Sequence, residues 1–273
     1  PEFRKARGCY ACKEPYTRVH HFYDGMCPAC AEFNYAKRFQ SADLSGRTVY
    51  ISGARLKIGY QAGLKLLRAG ARVIVSTRFP HDAAKRYASE PDASDWSVRL
   101  RLHGLDLRHS PSVEIFARYL LQTETRLDAL ISNAAQTVRR PVAFYEHLLE
   151  HEARSWKDLG TAERALLAGH YECRAALGPD GREAAADTRT LTSWDGGRLG
   201  TGIRDSAQLS QIRMTYDDRT CGREIFPAGR YDADLQQIDL RTQNTWRMTL
   251  AEVPTPELLE VLLINAVAPF ILA

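Results

Sequence analysis

The stretch Thr48-Val49-Tyr50-Ile51-Ser52-Gly53-Ala54-Arg55-Leu56-Lys57-Ile58-Gly59 decides how this chain folds. A short β-branched run, Thr48–Ser52, ends in a turn bracketed by Gly53 and Gly59, and the residues beyond read as a helix. Glycines at such a turn let the backbone approach a pyrophosphate. The helix N-terminus adds free N–H groups and a partial positive charge.

Working outward, Tyr60–Arg68 places Ala62, Leu64, Leu66 and Leu67 largely on one helical face, closed by Gly70. Further strands are expected at Arg72–Thr77, Val98–His103 and Leu127–Ser132, with a helix at Pro111–Thr123. Strand–helix alternation of this kind demands right-handed crossovers and a parallel sheet. The expected fold class is therefore α/β, a Rossmann-type sheet accompanied by a small N-terminal head and a helical to irregular insertion. Four zones follow: a cysteine-paired, zinc-ribbon-like head at 1–40, a nucleotide-binding half at 41–141, an insertion at 142–245, and a last helix at 246–273. The insertion starts with apolar helical stripes and loses order in a polar stretch from Gly178 to Arg230.

The turn resembles the Thr-Gly-x-x-x-Gly-x-Gly loop of the short-chain dehydrogenases/reductases, with Ser52 for the Thr and with Gly53 and Gly59 matching. Lys57 departs from the pattern by replacing the middle glycine. Its side chain either reaches the phosphates as a counter-charge or blocks an ordinary dinucleotide. Asp106-Leu107 follows the third strand, where the family places an Asp that contacts the adenine amino group. Asn133-Ala134-Ala135 resembles the family's Asn-Asn-Ala-Gly. Ile264-Asn265-Ala266-Val267 resembles the helix of the catalytic Asn, which maps to Asn265. The resemblance implies a cofactor site at Ser52, Gly53, Arg55, Lys57, Ile58, Gly59, Arg78, Asp106, Leu107, Asn133 and Ala134.

Cofactor choice has a physical argument of its own. A carboxylate about 20 positions past the glycine loop would bond a ribose 2′-hydroxyl and repel a 2′-phosphate. The second strand ends Ser76-Thr77-Arg78 instead, and Arg78 with Arg55 could clamp a 2′-phosphate. NADP is expected over NAD.

Members of the family transfer hydride with a Tyr-x-x-x-Lys pair and a Ser that follow the Asn helix, and the sequence ends at Ala273 within that helix. This chain alone is therefore expected to be inactive, and its fourth strand to leave an edge for a protein partner or second chain. Two functions compete: an NADP-dependent oxidoreductase completed by further residues, and a non-catalytic Rossmann subunit of a larger assembly, an organellar one among the candidates.

Cys9-x-x-Cys12 and Cys27-x-x-Cys30 have the spacing of a tetrahedral metal site. Structural zinc is the expectation; redox cysteines, two disulfides or iron–sulfur ligation are alternatives, and His20 or His21 could replace a ligand. Paired thiols beside a nucleotide-binding core point to a reducing compartment, cytoplasm or organelle matrix. The net charge of +4 and 44% hydrophobic content are those of an ordinary globular chain. The basic, aromatic head could touch nucleic acid, although a solvated surface is the simpler reading. No apolar run is expected to reach the roughly 20 residues of a membrane span. His147 and His151 share a helical face, and the four tryptophans read as packing residues.

Overall fold

The computed structural model describes residues 1–177, 201–214, 222 and 224–273. Most of the polar stretch expected at 178–230 lies outside the described residues. The chain divides into two units, Pro1–Asp43 and Leu44–Ala273.

In the first unit, β1 (Glu2–Gly8) pairs antiparallel with β2 (Pro15–Arg18), and α1 (Pro28–Arg38) follows. The unit buries little: Cys9, Tyr16 and Ala31 are its enclosed apolar residues. So small a core does not hold a fold by burial alone.

The second unit is a four-stranded parallel sheet, order β5-β4-β3-β6, made by β3 (Thr48–Ser52), β4 (Arg72–Thr77), β5 (Leu100–Gly104) and β6 (Ala129–Ile131). The first two strands lie where the β-branched runs put them. The third and fourth are shorter than expected, because Ser97–Arg99 coils into a 3₁₀ turn and only Ala129–Ile131 pairs with β3.

Alternate strand residues feed two cores. Val49, Ile51, Val73 and Val75 pack with Leu64 and Leu67 of α2 (Lys57–Arg68) and with Ala83, Ala84 and Tyr87 of α3 (Pro80–Ala88). On the other face Tyr50 and Ile74 meet Val113 and Phe116 of a helix at Ser110–Thr123, together with Ile264 and Ala268. Both faces are covered, as a parallel sheet requires. Counting the short helix Ala93–Trp96 as α4 makes Ser110–Thr123 α5.

The insertion opens with a 3₁₀ turn at Val142–Tyr145, then α6 (Glu146–Glu152) and α7 (Thr161–Ala176). Leu166 and Leu167 of α7 join one core and Cys173 joins the other, so the insertion itself packs along β5. Short helices α8 (Thr201–Arg204) and α9 (Ser206–Leu209) follow. Among the described residues β6 pairs with β3 only.

The last zone is not one helix from Trp246. A 3₁₀ turn at Leu250–Glu252 precedes α10 (Thr255–Leu262), a π-turn at Leu263–Val267 and α11 (Ala268–Leu272). Pro254 ends the earlier segment because it cannot continue a helical hydrogen-bond ladder. Trp96 is buried as a packing residue should be, Trp246 is exposed and is not one, and Trp194 lies outside the described residues.

The expectation that no apolar run is long enough for a membrane needs correcting. Thr255–Leu272 spans 18 residues with a mean hydropathy of 1.6, enough by length and composition to cross one. In this fold its inner face packs in the core through Ile264 and Ala268 and holds two buried carboxylates, Glu257 and Glu260.

Candidate functional site

The chain order runs β3, β4, β5 to one side of the sheet and then returns to place β6 on the other. Such a reversal opens a crevice at the carboxyl ends of the strands, beside β3. A cavity of about 670 Å³ lies there, and its wall includes Gly53, Lys57, Gly59, Arg78, Asp106 and Asn133.

The floor is built by close approach. Gly53 has φ +69° and a Cβ there would lie 2.7 Å from the Ala134 Cβ. A Cβ on Gly59 would sit 2.6 Å from the Gly53 carbonyl oxygen. Neither position admits a side chain. Asn133 latches this turn, its Nδ2 donating to the Ser52 and Gly53 carbonyls at 3.1 Å each. The Ala134 N–H donates to Ser52 Oγ at 3.1 Å, tying β6 to the same turn.

Lys57 keeps the backbone that a glycine would adopt, with φ 55°. A non-glycine residue in this left-handed region costs roughly 1 kcal/mol. Its side chain is more than half exposed, and Nζ lies 3.8 Å from Asp234. Of the two readings of Lys57, the structure has the side chain at the rim with the cavity open beside it.

The two arginines are not equivalent. Arg55 is buried: Nη1 donates to Asp82 at 2.6 Å and Nη2 to Gln236 at 2.7 Å. Burial pushes its pKa down while Asp82 opposes that shift. The expected two-arginine clamp is therefore corrected, since Arg55 is committed to an internal carboxylate. Arg78 donates to the Tyr145 hydroxyl at 2.7 Å and lies over the Tyr145 ring. Among the described residues it meets no carboxylate at ion-pair distance.

Asp106 is enclosed. Burial alone would raise its carboxyl pKa, but the Arg108 guanidinium, 2.6 Å away, outweighs this and holds it below the usual range. Arg108 also reaches Glu260 at 3.3 Å, which pairs with Arg139 at 2.9 Å. Asp106 thus belongs to a buried ion network as well as to the cavity wall. Leu107 is buried beside it, while Ile58 stands exposed at the start of α2.

Asn265 lies within the π-turn. Its Oδ1 accepts the Gln136 N–H and its Nδ2 donates to the Gln136 carbonyl, both at 2.9 Å.

Sequence reasoning missed the wall from the insertion: Phe144, Tyr145 and residues 236–239 line the same cavity. Phe144 and Tyr145 lie in the apolar helical start of the insertion, whereas no periodicity marks residues 236–239. Arg108 and Glu260 were also missed; the adjacency of Arg108 to Asp106 was the available signal.

In the first unit Cys9, Cys12, Cys27 and Cys30 converge, their four sulfur atoms lying within 4.8 Å of one another. Two sulfurs on one tetrahedral zinc at about 2.3 Å stand roughly 3.8 Å apart; Cys12 and Cys27 are 3.8 Å apart. The Cys27 N–H donates to Cys9 Sγ at 3.2 Å. Desolvation would raise the Cys9 thiol, yet this and neighbouring N–H donors bring it down to about 6. Contacts with Cys27 and Cys12 push Cys30 up to about 12. Four thiol sulfurs converging at this spacing are a donor set that fits one tetrahedral metal ion. Among the described residues no second metal cluster forms, at His147 and His151 included.

No family model matches the chain. It is 38% identical over 162 residues, 58% of its own length and 34% of the relative's, to an uncharacterised protein of Acanthamoeba polyphaga mimivirus. It is 34% identical over 111 residues to retinol dehydrogenase 13 of Mus musculus, covering 41% of this chain and 30% of the relative. The chain thus spans about a third of these curated relatives. Among solved structures, a metagenomic short-chain oxidoreductase in complex with NADP aligns with a TM-score of 0.29 and 24% identity, covering 50% of this chain and 56% of that one.

Proposed function

With this chain placed among relatives of the short-chain dehydrogenases/reductases, we propose that it is the nucleotide-binding part of an NADP-dependent oxidoreductase acting between a carbonyl and an alcohol. The observation that carries the reading is the crevice beside β3, whose floor has no room for a side chain at Gly53 or Gly59 and whose rim bears Lys57 and Arg78. Backbone N–H groups at the start of α2 would face the diphosphate. Arg78, paired with a hydroxyl and not a carboxylate, would meet a 2′-phosphate. Asp106 and Leu107 would border the adenine.

NADP, when bound, supplies or accepts the hydride. The groups that move the proton would come from residues beyond the Asn265 helix, and Asn265 would hold the start of that relay in place. Retinol is not carried over as a substrate, because the matched residues cover less than a third of the retinol dehydrogenase. The four-thiol cluster would hold structural zinc, a role that fits a unit with so small a core. A reducing compartment, cytoplasm or organelle matrix, would keep those thiols available.

A second reading, a Rossmann scaffold within a larger assembly, draws on the β6 edge and on the exposed apolar residues Leu258, Leu262 and Phe270. Under it a protein partner or second chain covers that edge.

Thermal melting with added nucleotide tests the leading reading. A melting temperature that climbs with NADP concentration supports it. No shift at millimolar NADP or NAD ends it in favour of the scaffold.

A further inference from the structure

Four cations line the cavity beside β3: Arg55, Lys57, Arg78 and Arg140. Three of them are met by one short segment of the insertion. Asp234 Oδ2 lies 3.8 Å from Lys57 Nζ, Gln236 accepts from Arg55 at 2.7 Å, and Asp239 pairs with Arg140. The segment also contributes Asp232, Gln237 and Ile238 to the cavity wall.

This segment has a shape of its own. Tyr231 and Gln237 form an antiparallel bridge, the Asp232 N–H donates to the Gln236 carbonyl at 2.8 Å, and the Ile238 N–H donates to the Arg230 carbonyl at 3.1 Å. Asp232 Oδ1 accepts the N–H groups of Asp234 and Gln236, each at 2.9 Å. Leu235 stands at its tip with φ 59°, a conformation that stores strain in a branched residue. Arg86 Nη1 donates to the Asp234 carbonyl at 2.9 Å and anchors the tip to α3.

We propose that residues 231–239 are an acidic strap whose carboxylates stand in for phosphate oxygens on the cavity's cations, so that a nucleotide diphosphate must displace the strap to bind. The inference rests on the nucleotide-binding reading above and adds regulation of that site. Exchange is feasible because the Lys57–Asp234 pair is half-exposed on both sides, and such pairs contribute at most about 1 kcal/mol. A diphosphate brings more negative charge than the single carboxylate it replaces. Arg78 donates to the Tyr145 hydroxyl and pairs with no strap carboxylate among the described residues, which leaves it for the first encounter.

The test combines NADPH titration, read by fluorescence, with hydrogen exchange of the strap amides. Asp234→Asn should tighten NADPH binding about two- to fivefold. Asp95→Asn, a change at an exposed carboxylate outside the cavity wall, should leave it unchanged. Adding NADPH to the unaltered chain should speed exchange at Leu235 and Ile238. If Asp234→Asn binds NADPH no better than the unaltered chain, or NADPH slows exchange as a closing clamp would, the strap is overturned while the cofactor reading stands. Should the unaltered chain and the variant both fail to bind NADPH or NADH, the nucleotide reading falls and takes the strap with it.

Discussion

Asn265 clamps the backbone of Gln136 with two hydrogen bonds of 2.9 Å, one accepted from its N–H and one donated to its carbonyl. The clamp joins the π-turn at Leu263–Val267 to the loop after β6, 129 residues away in sequence. Replacing Asn265 by Ala removes both bonds. Stability should drop by about 1 kcal/mol in denaturant unfolding, the worth of two solvent-exposed bonds at the low end of the usual range. Asn265→Asp should lose a similar amount, because its carboxylate keeps the acceptor and repels the Gln136 carbonyl. Unchanged unfolding midpoints in both variants would contradict the clamp.

Glycine substitutions separate strain from contact. Gly46 has φ +73° with nothing within 4 Å of an added Cβ, so Gly46→Ala should cost about 1 kcal/mol from the backbone alone. Gly53→Ala combines a similar φ with a clash against Ala134 and should cost clearly more, with loss of nucleotide binding. Equal unfolding free energies for the two variants would show that the floor is looser than described.

The head should carry one zinc per chain by elemental analysis. Strong chelation should add four rapidly titrating thiols to any that react beforehand, with Cys173, buried in the second unit, reacting only on global unfolding. Chelation that changes neither thiol reactivity nor the circular dichroism of an isolated 1–43 peptide would argue against a metal.

Buried titratable groups set opposite pH slopes. Burial pulls His103 down to about 3, and lowers His81, His109, His147 and His170 as well. The unfolded chain binds protons at these histidines below about pH 6.5 while the fold does not, so stability is lost as pH falls through that value. Glu152 runs the other way. Burial pushes it up to about 8 despite two N–H bonds from the start of α3. There the fold holds a proton that the unfolded chain has released, so stability declines as pH rises from about 4.5 towards 8. Below pH 6.5 five histidines outweigh one carboxyl, and the melting temperature should peak near roughly pH 6–7. Glu152→Gln should flatten the alkaline limb; an unaltered slope would show that this carboxyl is ionised in the fold.

The strands β3 and β4 were legible to the residue because a buried parallel strand is a continuous β-branched run, and Thr48–Ser52 and Arg72–Thr77 are such runs. The glycine turn was legible because Gly53 and Gly59 occupy positions that only glycine fits. Lys57 was ambiguous for the same reason: its identity broke the pattern while its backbone kept it. What stayed hidden depends on distant partners. Nothing local to Arg55 announces Asp82, and nothing near Asp106 beyond Arg108 announces Glu260, 154 residues on. The wall made by residues 236–239 comes from a segment without periodicity, placed by polar and charged pairing through Gln236 and Asp239, whereas Tyr145 is held in an apolar cluster with Phe79 and Phe144.

The central claim is that the crevice beside β3 takes NADP with Arg78 on the 2′-phosphate. Calorimetric titration of NADPH and NADH into the unaltered chain and Arg78→Gln tests it most directly. The expected result is NADPH binding roughly tenfold or more tighter than NADH, as one charge-assisted bond allows, with that preference abolished by Arg78→Gln. Equal affinities for the two nucleotides, or a preference for NADPH that survives the substitution, would contradict it.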